Sequence, residues 1–295
     1  MGLGQYILKA ASVVAGPAGW PPPLPPLIEL DANVASETIT LSLSDGQTEA
    51  TVYRPTGVPS GVIILLHAGG ADRHCIWSWA QPLYNAHFAC IAPDLDGHGS
   101  NTRPFTSVSR AAEVALAALD AVPSLGLPSS AAIMGGSLGG VVALRAAEMR
   151  AAKARGDALQ PNIDCLALLA TPYTSPFWQM LSPHVLRSAW EGQHIVGTGV
   201  RRAGPRPRFA AFRDSLAQEN LLQSARAVAT RPMLLVCGQY DPFAPPWQGR
   251  AYQRAHGNAT LHVVPTAHAG ALYGSAALTT AAEWLVTQLL PHRER

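Results

Sequence analysis

Apolar positions along the chain fall into short runs of two kinds. Glu37–Leu43 and Glu49–Tyr53 alternate polar and apolar side chains, the period-2 signature of strands with one wet face. Ser44-Asp45-Gly46-Gln47 between them carries turn chemistry, so the pair reads as a hairpin. Val62–Leu66 is instead a continuous apolar run, as a strand covered on both faces requires; Phe88–Ala92 reads as the next buried strand, and Ala132–Met134, Ile163–Ala170, Met233–Cys237 and Leu261–Val264 are further apolar, strand-like runs. Asp72–Tyr84, Ser109–Ala121, Leu138 to about Arg155, and Ala276–Leu290 have helical spacing, the last with Trp284 and Leu285 on its apolar side. An antiparallel start followed by strands alternating with helices predicts an α/β fold. The expected architecture is a doubly wound, mostly parallel, eight-stranded sheet flanked by helices and joined by right-handed crossovers.

The alternation fails in two places. Residues 1–36 precede the first strand and include Pro21-Pro22-Pro23-Leu24-Pro25-Pro26, an extended segment incompatible with helix, and they read as an N-terminal extension. From Pro172 to about Ser224 the chain is irregular and rich in aromatics and arginines, as an ordered lid inserted in the core is. The expected division is therefore an extension at 1–36, a core at 37–171 and 225–295, and a lid at 172–224.

In an open parallel sheet, ligands bind outside the carboxyl ends of the strands, so the residues that follow each strand decide the chemistry. After Val62–Leu66 comes His67-Ala68-Gly69-Gly70, and after Phe88–Ala92 comes Pro93-Asp94-Leu95-Asp96-Gly97-His98-Gly99. After Met134 comes Gly135-Gly136-Ser137-Leu138-Gly139, a G-x-S-x-G turn between strand and helix that forces its serine into a strained conformation and lifts the hydroxyl out of the sheet. After Cys237 comes Gly238-Gln239-Tyr240-Asp241, and after Val264 comes Pro265-Thr266-Ala267-His268. A hydroxyl, a carboxylate and an imidazole thus leave one sheet edge in the order Ser, Asp, His. Serine is a poor nucleophile at neutral pH and needs a base in reach, histidine can take and return one proton there, and a buried carboxylate fixes the tautomer. These needs select Ser137, His268 and Asp241 as candidate nucleophile, base and orienting acid.

Over roughly residues 37–290 these motifs resemble those of the α/β-hydrolase superfamily, in its serine-nucleophile, esterase- and lipase-like branch. The resemblance implies an oxyanion hole formed by the backbone N–H groups of Gly69 and Leu138, with Ala68 standing where the family commonly has glycine. It also implies a carboxylesterase-like serine hydrolase that cleaves a carboxylic ester or thioester without a cofactor. Peptidase, lactonase, C–C hydrolase and acyltransferase chemistry fit the same three residues, and a non-catalytic binding protein on this fold is the alternative from another class. The variant that places its acid after the preceding strand is disfavoured, because Ile163–Ala170 exits into Thr171-Pro172-Tyr173 with no carboxylate.

The remaining candidates have plainer readings. His67 braces its own loop, His98 belongs to a turn, His262 lies within a strand, and Asp94 and Asp96 read as turn caps. In the lid, Trp178 and Trp190 suggest an apolar substrate group, while Arg201 and Arg202 are either a solvated loop or an anion site for the substrate. The composition is 48% hydrophobic and 14% charged over 295 residues with a net charge of +2, which gives a large core and no electrostatic pull toward nucleic acid. No spacing of histidines and carboxylates suits a metal, and no apolar run reaches the roughly 18 residues that span a bilayer. Cys90, Cys165 and Cys237 sit in strand-like runs and Cys75 has no partner spacing, so free thiols in a reducing, cytoplasmic setting are expected. The moderately apolar Tyr6–Ala15 stretch, interrupted by Lys9, leaves secretion as the lesser alternative. The expected partner is a small acyl substrate, with the chain a monomer or homodimer.

Overall fold

The computed structural model describes residues 34–153, 162–173 and 209–290. Eight strands form one sheet: β1 (Ser36–Leu43), β2 (Gly46–Tyr53), β3 (Val62–Leu66), β4 (Ala89–Pro93), β5 (Ala131–Gly136), β6 (Ile163–Leu169), β7 (Met233–Gly238) and β8 (Ala259–Val264). Their order across the sheet is β1-β2-β4-β3-β5-β6-β7-β8. The β1–β2 and β2–β4 pairs are antiparallel and every other pair is parallel. The doubly wound, mostly parallel α/β sheet expected from the sequence is thus present.

The described helices are α1 (Trp77–Asn85), α2 (Val108–Asp120), α3 (Leu138–Lys153), α4 (Phe209–Gln218), α5 (Leu221–Ala227), α6 (Pro246–His256), α7 (His268–Tyr273) and α8 (Ser275–Leu289). Helices α2, α3, α5 and α6 cover one face of the sheet, and α1 and α8 cover the other. Strand β3 shows why its sequence is apolar throughout. Val62, Ile64 and Leu66 enter the first layer, Ile63 and Leu65 the second, and all five are fully buried. Each such side chain contributes about 1.5–3 kcal/mol of transfer free energy. The hairpin strand β1, by contrast, buries only Leu41 and keeps a polar face.

Local signals set the helix ends. Ser107 accepts a hydrogen bond from the Arg110 N–H at the start of α2, and α6 begins with Pro246 and ends at Gly257, whose φ of 84° is the left-handed cap that glycine adopts without strain. The segment read as one helix from Asp72 divides in two. Asp72 caps a short 3₁₀ turn at Arg73–Ile76, and α1 starts only after it. Regular structure also resumes before Ser224, because α4 and α5 lie there and α5 buries Leu221 and Ala225 in the core.

Two arginines tie the β4 exit to the hairpin. Arg103 is 1% exposed and holds fully buried Asp96 through Nη2 at 2.8 Å from Oδ1 and 3.1 Å from Oδ2, while its Nη1 donates to Glu113 at 2.7 Å. Burial pushes the Asp96 carboxyl above its ordinary range, against the pull of Arg103. Arg73 pairs with Asp94 and Glu49. Asp94 and Asp96 are therefore more than the turn caps their sequence context suggests. Asp94 does accept the Ser100 N–H at 2.8 Å, but both carboxylates are fully buried ion-pair partners, Asp94 of Arg73 and Asp96 of Arg103. Removing the cation from such a pair leaves an uncompensated buried charge. Arg103→Met is expected to lower the unfolding free energy by about 3–5 kcal/mol in urea titration, whereas loss of an exposed pair costs under about 1 kcal/mol. A change below about 1 kcal/mol would show that the network does not stabilise the fold.

Candidate active site

Strand β5 turns into α3 at Ser137, whose φ is 51°. That left-handed conformation costs a non-glycine residue about 1–2 kcal/mol and persists only where surrounding contacts impose it. Here the Ser137 N–H donates to Leu169 O at 2.8 Å, and Ser137 O accepts the N–H groups of Gly140 at 3.1 Å and Val141 at 3.2 Å. The flanking glycines are sterically required. A Cβ on Gly135 would collide with the Gly139 carbonyl, and one on Gly139 would collide with the carbonyls of Leu66 and His67. Gly136 is likewise filled against by Trp79 and Leu272, and Gly140 by Thr171. The strained G-x-S-x-G turn is thus what the sequence pattern announces.

Asp241 and His268 come from the exits of β7 and β8. Asp241 is fully buried, and its Oδ1 accepts the N–H groups of Phe243 at 2.8 Å and Ala244 at 2.9 Å. Its Oδ2 lies 2.7 Å from His268 Nδ1, and His268 Nε2 lies 3.2 Å from Ser137 Oγ. Three residues separated by up to 131 positions therefore form one hydrogen-bonded line. With the carboxylate accepting at Nδ1, the Nδ1 atom carries the proton and Nε2 is free to accept from the serine hydroxyl. His268 opens the short helix α7 and keeps its side chain 15% exposed, enough to meet a substrate.

Leu138 is the first residue of α3, with its N–H at the helix start beside Ser137. Opposite it, the loop after β3 folds into a tight turn. The Ala71 N–H donates to Ala68 O at 3.1 Å, and Gly70 has φ 81°, the positive value a type II turn reserves for glycine. The Gly70 N–H is committed to His98 Nε2 at 3.1 Å. Among the described residues, no acceptor within the protein takes the Gly69 or Leu138 N–H.

His67 and His98 are both fully buried, as loop and turn residues rather than partners of Ser137. His262 is exposed on β8. Trp178, Trp190, Arg201 and Arg202 lie outside the described residues, as does the proline-rich extension. The sequence reading singled out neither Phe243, which touches the site, nor Tyr173 and Trp247 at the exits of β6 and β7. Phe243 packs edge-on against His268 with ring centroids 5.1 Å apart, and Tyr173 packs edge-on against Trp247 at 6.1 Å. Their only signal was position after β6 and β7. Trp247 is 41% exposed. Cys75, Cys90, Cys165 and Cys237 are all free thiols, and burial pushes Cys165 and Cys237 up to about 12. Among the described residues, no three His, Cys, Asp or Glu side chains gather as a metal site, and no helix is long and apolar enough to cross a membrane.

The strain at position 137 is separable from its chemistry. Glycine relieves a left-handed backbone and alanine does not, so Ser137→Gly is expected to be more stable than Ser137→Ala by about 1 kcal/mol. Equal denaturation midpoints for the two variants would contradict the strain.

Solved structures with the same fold include Est1E from Butyrivibrio proteoclasticus with ferulic acid bound, at a TM-score of 0.64 and 17% identity, covering 86% of this chain and 100% of that one. A carboxyl esterase from Bacillus coagulans in complex with glycerol matches with a TM-score of 0.66 and 14% identity, covering 86% and 99%. A monoacylglycerol lipase from Paleococcus ferrophilus matches with a TM-score of 0.59 and 20% identity, covering 86% and 99%. A search of curated proteins returns no match. The family model described as "Alpha/beta hydrolase family" matches residues 63–283, a span that holds Ser137, Asp241, His268 and the loop after β3. The chain belongs to the α/β-hydrolase family.

Proposed function

We propose that the protein is a serine hydrolase that cleaves a carboxylic ester or thioester through an acyl-enzyme on Ser137. The single observation that carries the reading is the hydrogen-bonded line from Ser137 Oγ through His268 to fully buried Asp241. His268 Nε2 takes the hydroxyl proton as Ser137 Oγ attacks the acyl carbon, and Asp241 stabilises the imidazolium without itself being protonated. The N–H groups of Gly69 and Leu138 receive the oxyanion. His268 then returns the proton to the departing alcohol or thiol, and water, deprotonated by the same imidazole, releases the acid. The named ligands and activities of the structural neighbours support acyl-ester chemistry, since they include Est1E with ferulic acid bound, a carboxyl esterase and a monoacylglycerol lipase. Phe243 beside His268, and the Tyr173–Trp247 pair at the neighbouring strand exits, favour an apolar or aryl group on the substrate.

Ser137→Ala is expected to abolish turnover of p-nitrophenyl esters and labelling by a fluorophosphonate, and Asp241→Asn to lower kcat by roughly 10⁴-fold. The ratio kcat/KM across esters, thioesters and lactones of graded acyl length reads the preferred bond. Undiminished ester turnover by Ser137→Ala would refute the assignment. A folded wild-type protein that neither turns over esters nor takes up the probe would favour a binding role on this fold.

A further inference from the structure

The two imidazoles behind the turn after β3 each bridge two loops, and they do so with opposite ends. His67 Nδ1 lies 2.9 Å from Ala68 O, and its Nε2 accepts the Leu95 N–H at 3.0 Å. His98 Nδ1 lies 2.8 Å from Asp96 O, and its Nε2 accepts the Gly70 N–H at 3.1 Å. The rings meet edge-on with centroids 4.9 Å apart. A carbonyl at Nδ1 and an N–H at Nε2 admit one tautomer, so both rings are neutral and protonated on Nδ1. Each ring therefore links Ala68–Gly70 to Leu95–Asp96. His67 touches the first loop with its δ nitrogen and His98 with its ε nitrogen.

The Ala68–Gly69 peptide unit is planar and trans, so its C=O and its N–H point in opposite directions. Ala68 O is held by His67 Nδ1–H and by the Ala71 N–H, which fixes the direction of the Gly69 N–H. The next peptide unit is fixed through the Gly70 N–H by His98. We infer that His67 and His98 are positioning residues for the oxyanion donor Gly69, clamping the peptide units on either side of it against the Leu95–His98 loop. This rests on the proposed role of Gly69. It also explains why two fully buried histidines stand behind a turn closed by the Ala71 N–H to Ala68 O hydrogen bond. An oxyanion donor acts on charge that develops in the transition state, so a donor turned out of line lowers kcat and leaves KM nearly unchanged.

The opposite polarity gives a test that simple destabilisation does not mimic. Asparagine places its amide near the δ position of an imidazole and glutamine near the ε position. At position 67 the loop contact is δ, so His67→Asn keeps it and His67→Gln loses it. At position 98 the loop contact is ε, so His98→Gln keeps it and His98→Asn loses it. The expected result is a crossover in p-nitrophenyl ester kcat. His67→Gln and His98→Asn fall about 10- to 100-fold below their counterparts, with KM changed less than about threefold, and affinity for a boronic acid transition-state analogue falls in parallel. The same order of Asn and Gln at both positions, or a loss carried by KM, overturns the inference. Should a variant fail to fold, ¹⁵N imidazole spectra of the wild-type protein decide, since both rings must read as the Nδ1–H tautomer and an Nε2–H signal for either overturns the clamp. Ester turnover retained by Ser137→Ala sinks the proposed function beneath this inference, whereas turnover lost in Ser137→Ala with no crossover sinks the clamp alone.

Discussion

The contact on which the site depends is the seating of the first turn of α3 against the exit of β3. Gly139 lies so close to the carbonyls of Leu66 and His67 that no side chain fits between them. On the other side of the same turn, Gly135 packs against the backbone of Gly139. Together these contacts hold Ser137 at a positive φ and bring the start of a helix beside a loop from a different strand. The two proposed oxyanion donors, Leu138 and Gly69, owe their proximity to that seating, because β3 and β5 are adjacent and in parallel register from Val62 with Ala131 to Leu66 with Gly135.

Around this contact the polar groups are arranged by burial. The Asp241 carboxylate is shielded from water and accepts two backbone N–H groups, so its remaining oxygen directs the imidazole of His268. The arginines behind the β4 exit keep two further buried carboxylates compensated, and those carboxylates shape the loop that carries His98. These buried hydrogen bonds and ion pairs brace the strand exits from behind, with Arg73 Nε left without a partner among the described residues.

Much of this was legible in the sequence because parallel sheets write their chemistry at strand exits. Apolar runs located β3 to β8, although β8 is an edge strand with His262 and Val263 exposed, and reading the residues after them brought out Ser137, Asp241 and His268 in order. The hidden parts are those set by distant pairing. Nothing near Asp96 indicated that it, Glu113 and Asp45 would gather around the Arg103 guanidinium, and turn composition alone pointed to caps. Helices α4 and α5 were hidden by weak periodicity in a segment dominated by arginine, proline and aromatic residues. Phe243, Tyr173 and Trp247 could not be separated from ordinary loop aromatics until β6 and β7 were seen side by side.

The parts of the site also differ in when they come to exist. The loop of His67, the 95–98 segment and the turn at Ser137 are all encoded before Asp241, and His268 follows the last strand, so the proposed nucleophile is synthesised well before its proposed base. Vectorial synthesis therefore produces the Ser137 hydroxyl before the imidazole that meets it. On the proposed mechanism, a chain that stops before β8 carries the elbow without the imidazole, which the last parallel pairing, β7 with β8, delivers.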